Sequence, residues 1–200
     1  MEKEIVIIGT GGLGREIAAT FKSNKNNVFR LAGYIDDYAE QGKTFNGFKI
    51  LGSVDWLIKN RPCVNVIVGF SNIEGRRRII KKLTDEGFTF PTIVHHSATI
   101  LNRDTVSLGA GTIILPFSIL TTDVEIGENV LVHIGVNLHH DTKIMNNCVL
   151  MPNVKITGGA KIGSNVYIGT GAVLPQLVEI PDGMNIEAGS IVNKELLLKR

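Results

Sequence analysis

The chain has 200 residues, long for one small domain and short for two average ones, so two compact units sharing little core are expected. Its 21 Lys and Arg nearly balance 19 Asp and Glu, giving a formal net charge of +2, so composition points to neither a nucleic-acid nor an anionic-membrane partner. The charged start MEKE leads into a strand-like run too short for a signal-peptide core or a membrane span, and Cys63 and Cys148 lack metal-ligand spacing. Both cysteines read as reduced and structural, in a cytoplasmic protein.

In chain order the first part alternates: strand 4–8, helix 13–23, strand 31–35, a loop through DDYAEQGKTFNG, a helix near 53–59, strand 64–69 and helix 73–86. This alternation predicts a small parallel sheet with crossover helices, a Rossmann-like α/β unit. The first strand runs into GTGGLGREIA, where Gly9, Gly11, Gly12 and Gly14 have the spacing of a dinucleotide-binding turn. A backbone without side chains can approach a pyrophosphate there, and the following helix offers unpaired N–H groups. Asp36 and Asp37 after the second strand, and Gly69 and Asn72 in the turn GFSN, fall at the same sheet edge. Three loops therefore converge on one crevice, the place where open α/β sheets bind ligands. Fewer than about a hundred residues cannot supply two mononucleotide-binding halves. One nucleoside diphosphate fits better than NAD, and an NAD oxidoreductase is disfavoured. Arg76, Arg77 and Arg78 read as a solvated helix face.

From Leu108, steps of six reach Ile114, Leu120, Ile126, Val132, Leu138, Ile144, Leu150, Ile156, Ile162, Ile168, Leu174, Ile180, Ile186 and Val192. Four residues beyond each of these lies a position that is usually small or β-branched, such as Thr112, Val130, Cys148 and Ala160. Neither a helix nor an alternating strand has this period; a hexapeptide β-helix does. Three hexapeptides make one triangular coil, so residues eighteen apart stack at about 4.8 Å. On this count Cys148 faces the core, and Gly158 stacks on His140 with Thr122 one coil back. His133 and His139 occupy one slot in successive hexapeptides and point outward from different faces, which argues against a metal site.

A small nucleotide-binding-type unit, the linker VHHSATI at residues 94–100 and an unbroken hexapeptide run together resemble the bacterial sugar acetyltransferases of the sialic acid O-acetyltransferase and UDP-4-amino-sugar N-acetyltransferase family. The resemblance spans residues 4 to about 193. It implies a left-handed parallel β-helix, a homotrimer, acetyl-CoA as co-substrate and no metal. The expected division is residues 1–92 as a nucleotide-sugar-binding domain and 93–200 as the β-helix acetyltransferase domain. In that family a His followed by an acidic residue at this point removes the acceptor's proton, which assigns His140 as base and Asp141 as its orienting partner. Imidazole can take a proton at neutral pH, and a carboxylate beside it fixes the tautomer. The resemblance gives the Gly158 amide, with Gly159 beside it, the task of holding the thioester oxygen, and puts the coenzyme near Gly169, Pro175 and Ala188 in a groove between neighbouring β-helices. The family's second histidine, nine residues after the first, is replaced here by Val149. The implied reaction is acetyl transfer to an amino group of a nucleotide-linked sugar in surface glycan synthesis. O-acetylation of sialic acid or another sugar, and a non-catalytic β-helix assembly or sensor protein, are the alternatives.

Overall fold

The computed structural model describes residues 3–23 and 28–193. The chain divides into two compact units, Met1–Pro91 and Thr92–Arg200, each around its own apolar cluster.

The first unit contains, in order, β1 (Lys3–Ile8), α1 (Gly12–Ser23), β2 (Phe29–Ile35), β3 (Thr44–Phe45), β4 (Phe48–Gly52), α2 (Val54–Asn60), β5 (Asn65–Val68) and α3 (Ile73–Asp85). The sheet order is β3-β4-β2-β1-β5, with β4, β2, β1 and β5 parallel. β1 is central, so its last four residues, Ile5–Ile8, are buried as an unbroken aliphatic run. Chain order reverses on either side of β1, and the loops after β1, β2 and β5 therefore end at one crevice. One part of the expected loop is instead a strand pair: β3 and β4 are antiparallel, joined by Asn46 and Gly47, both at positive φ (52° and 83°). That is the two-residue turn Asn-Gly favours, and it lays β4 beside β2.

The second unit is a left-handed parallel β-helix of two-residue strands in three sheets. Residues eighteen apart are paired, as in Leu120, Leu138, Ile156 and Leu174 down one sheet. All the six-step aliphatics from Ile114 to Val192 are buried in one cluster, with Leu108 packed against its end. The small and β-branched set, Cys148 among it, fills the same interior. The Cys148 thiol donates to the Gly163 carbonyl oxygen at 3.0 Å, and burial pushes its pKa up to about 11. Cys63, expected to be structural as well, is exposed and free.

The corners obey a second six-residue rule. Every sixth residue from Gly111 to Gly189 has positive φ, between 55° and 72°. Six of these fourteen positions are Gly, four are Asn and two are Asp, the residues that tolerate this region; the other two are Phe117 and Leu177. The faces also differ. Glu125–Lys143 and Lys161–Glu179 form ion pairs of 2.8 Å on an exposed face, contributing little to stability. On another face even the outward residues Ile113, Leu115, Leu131 and Val149 are buried. His133, one coil beyond Leu115 in the same outward column, is buried with them at 3% exposure, whereas His139 is exposed.

Candidate active site

The crevice of the first unit encloses about 650 Å³ and is lined by Ile8–Gly11, Ile35–Tyr38, Val54, Phe70, Asn72, Gly75, Arg78, Ile79 and Lys82. The expected loops do converge, but the predicted residues have different tasks. Asp36 Oδ2 accepts from the Thr10 amide at 2.8 Å and the Thr10 hydroxyl at 2.6 Å, while Oδ1 accepts from Tyr38 N at 2.9 Å. Burial works to raise its pKa, but the hydrogen bonds from Thr10, Tyr38 and Ala39 outweigh it and hold the carboxyl below its ordinary value. Asp36 thus fastens the glycine turn to the end of β2. Asp37 Oδ1 accepts from Val54 N at 2.8 Å and fixes the start of α2.

The glycines also separate. A Cβ on Gly14 would run into the Gly9 carbonyl, and one on Gly69 would lie 2.8 Å from the Gly14 Cα, so these two allow α1 to pack against the sheet. Gly11 and Gly12 face open space, and Gly9 and Gly11 line the crevice. Asn72 caps α3 by accepting from Gly75 N at 2.7 Å. The expectation for the arginine run is corrected at its first member. Arg76 is 1% exposed, and its guanidinium donates to the carbonyls of Val68 and Phe70, both at 3.1 Å, anchoring the loop after β5. Burial lowers its pKa to about 10. Arg78 and Lys82, with Tyr38, are crevice residues the sequence reading did not select. Their signal was available: Asn72, Gly75, Ile79 and Lys82 follow one helical face.

In the β-helix, one corner carries the columns Thr122, His140, Gly158, Gln176 and Asp123, Asp141, Gly159, Leu177. Asp141 has φ 59°, the conformation of a corner residue, and its Oδ2 lies 2.7 Å from His140 Nδ1. With Nδ1–H donated to the carboxylate, the neutral ring presents the Nε2 lone pair outward. The ring leans over the next coil: a Cβ on Gly158 would lie 2.5 Å from Nε2 and 2.9 Å from Nδ1. Glycine at 158 is therefore what leaves the imidazole room. One coil back from His140, the Thr122 hydroxyl is engaged with Asp123, Thr105 and Asn102.

The backbone at this corner has an open donor. At another corner the N–H groups of Glu128 and Ser164 are taken by side-chain oxygens one coil on, Asn146 at 2.9 Å and Asp182 at 2.8 Å. Gly158 occupies the equivalent slot, and among the described residues no hydrogen bond uses its N–H. An imidazole and an open N–H thus lie side by side at this corner, a combination that acyl transfer can use. The remaining predicted donor residues divide. Pro175 is exposed just before Gln176 and Leu177. Gly169 packs directly against Ala188, at a different corner of the same chain. Among the described residues no three His, Cys, Asp or Glu side chains converge as a metal site.

Residues 4–83 match the PglD N-terminal domain family, and residues 141–176 match the bacterial transferase hexapeptide family. A GDP-perosamine N-acetyltransferase of Escherichia coli O157:H7 is 29% identical over 174 residues, covering 85% of this chain and 77% of that protein. The fold is shared with two solved structures at 23% identity. One is a point mutant of the perosamine N-acetyltransferase of Caulobacter crescentus in complex with CoA and GDP-perosamine, with a TM-score of 0.85 over 96% of this chain and 90% of that one. The other is the acetyltransferase domain of PglB from Neisseria gonorrhoeae, with a TM-score of 0.81 over 95% and 91%. With the two family signatures in tandem, the chain carries a PglD-type N-terminal domain followed by bacterial transferase hexapeptide repeats, and the His-Asp pair lies within the repeats.

Proposed function

We propose that this chain transfers the acetyl group of acetyl-CoA to an amino group of a nucleotide-linked sugar, as a cytoplasmic homotrimer serving surface glycan synthesis. The observation that carries the reading is the His140–Asp141 pair, 2.7 Å apart, leaning over Gly158 with its open N–H. Support for the substrates comes from the relatives, one named a GDP-perosamine N-acetyltransferase and one solved with CoA and GDP-perosamine. Among the described residues no helix is long and apolar enough to cross a membrane.

Gly158 lets the His140 ring lie directly against the backbone that carries the open N–H, which brings base and oxyanion donor to one place. Acetyl-CoA supplies an activated carbonyl with a good leaving group; the chain supplies position and charge. The Gly158 N–H receives the carbonyl oxygen and stabilises its charge as the tetrahedral centre forms. His140 Nε2 takes the proton from the attacking amine, and Asp141 stabilises the imidazolium that results. The proton is then available to the departing thiolate, so no covalent intermediate on the protein is needed. In the first unit, the turn at Gly9–Gly11 receives the diphosphate, and Arg78 and Lys82 add positive charge beside it.

The test is thiol release from acetyl-CoA across UDP-, dTDP- and GDP-linked amino sugars, with His140→Ala as control. Turnover with one of them, reduced ~10²–10⁴-fold in the variant, is the expected result. Release with free sialic acid alone would replace this reading with O-acetylation. Silence throughout would favour a non-catalytic role.

A further inference from the structure

Of the fourteen corner positions with positive φ, Leu177 is one of only two that are neither Gly, Asn nor Asp. A branched-chain residue at φ 60° is strained, because its Cβ crowds the backbone, and such strain persists only where the side chain serves some end. Core packing is not that end, for Leu177 is 71% exposed. Its side chain instead folds back toward the preceding coil: Cδ2 lies 2.6 Å from where a Cβ of Gly159 would be. Its own N–H is bonded to the Gly158 carbonyl at 3.0 Å.

Successive coils stand about 4.8 Å apart. The His140 ring lies over Gly158 and the Leu177 side chain over Gly159, so the two side chains stand next to each other beside the Gly158 N–H. Phe117, the other bulky corner residue, belongs to a different column; the Gly135 one coil beyond it is approached by Asn153 and not by the ring.

Resting on the acetyltransferase reading above, we infer that Leu177 is a specificity-determining residue of the acyl-donor site, its isobutyl group bounding the space beside the Gly158 N–H so that an acetyl group fits and longer acyl groups do not. Removing that side chain opens room for one or more extra methylene groups, each of which such a pocket discriminates by about 10–200-fold.

The experiment compares wild type with Leu177→Gly and Leu177→Asn, both residues suited to a positive-φ corner, using acetyl-, propionyl- and butyryl-CoA. Calorimetry gives the dissociation constants without turnover, and thiol release with the best nucleotide amino sugar gives kcat/KM. The expected result is a shift of at least about tenfold toward butyryl-CoA in both ratios, with a melting temperature no lower than that of wild type. Unchanged ratios, whether acetyl transfer is kept or uniformly lost, would overturn the assignment. Wild type that turns over no acyl-CoA at all would remove the acetyltransferase reading, and the proposal with it.

Discussion

Asp141 combines two duties that a single substitution can separate. It is a corner residue with positive φ and the hydrogen-bond partner of His140. Asn occupies the same kind of corner at 129, 147, 153 and 165, so Asp141→Asn keeps the backbone while removing the charge that favours the imidazolium. The expected outcome is unfolding stability within about 0.5 kcal/mol of wild type and kcat at least about tenfold lower with little change in KM, measured by urea unfolding and steady-state kinetics. Asp141→Glu should restore part of kcat if orientation of the ring is what matters. The pair was singled out in the sequence through the family resemblance, in which a His is followed by an acidic residue at this point. Arg76 was not: three consecutive arginines have one composition, and only the phase of α3 against the sheet decides that the first turns inward.

At the scale of elements, the sequence carried the β-helix twice. The aliphatic period is plain because apolar side chains occur at every step, whereas the corner period is spread over Gly, Asn and Asp and is broken at Phe117 and Leu177. The β3–β4 hairpin was missed because β3 is only two residues long and lies at the end of a polar stretch, although Asn46-Gly47 marks the turn. The glycine turn after β1 was recognised, but its link to β2 was not, since an Asp that fastens a loop looks like one that meets a ligand. That fastening is pH-sensitive. The folded structure holds the Asp36 carboxyl below its ordinary value, so its contribution is fully present above about pH 4 and is lost as pH falls through the lowered folded value. The first unit should therefore lose stability as the pH falls below about 4, and Asp36→Asn should flatten that loss. Urea unfolding across this range measures it; an equally steep dependence in the variant would assign the effect to other carboxyls.

The whole molecule has two interiors of different construction. One is a sheet with helices, its cluster drawn from residues between Val6 and Phe90; the other is a stack of coils, its cluster drawn from residues between Val94 and Val192. Among the described residues no side chain belongs to both clusters, so a substitution in one core should act first on its own unit. The only tryptophan, Trp56, packs against the first cluster, which makes its fluorescence a report on that unit, whereas the many short parallel strands of the second contribute to the far-UV circular dichroism. Leu83 and Leu150 are each fully buried, one in each cluster. Either residue changed to Ala should cost about 2–5 kcal/mol, because the close-packed surroundings relax only partly into the space left. With a urea slope of about 1–3 kcal/mol per molar, the affected midpoint should fall by roughly 1–2 M. Leu83→Ala should move the fluorescence transition and leave the later dichroism change in place; Leu150→Ala should do the reverse. Equal movement of both transitions in both variants would show one cooperative unit, and the crevice of the first unit and the His140 corner of the second would then share a single stability.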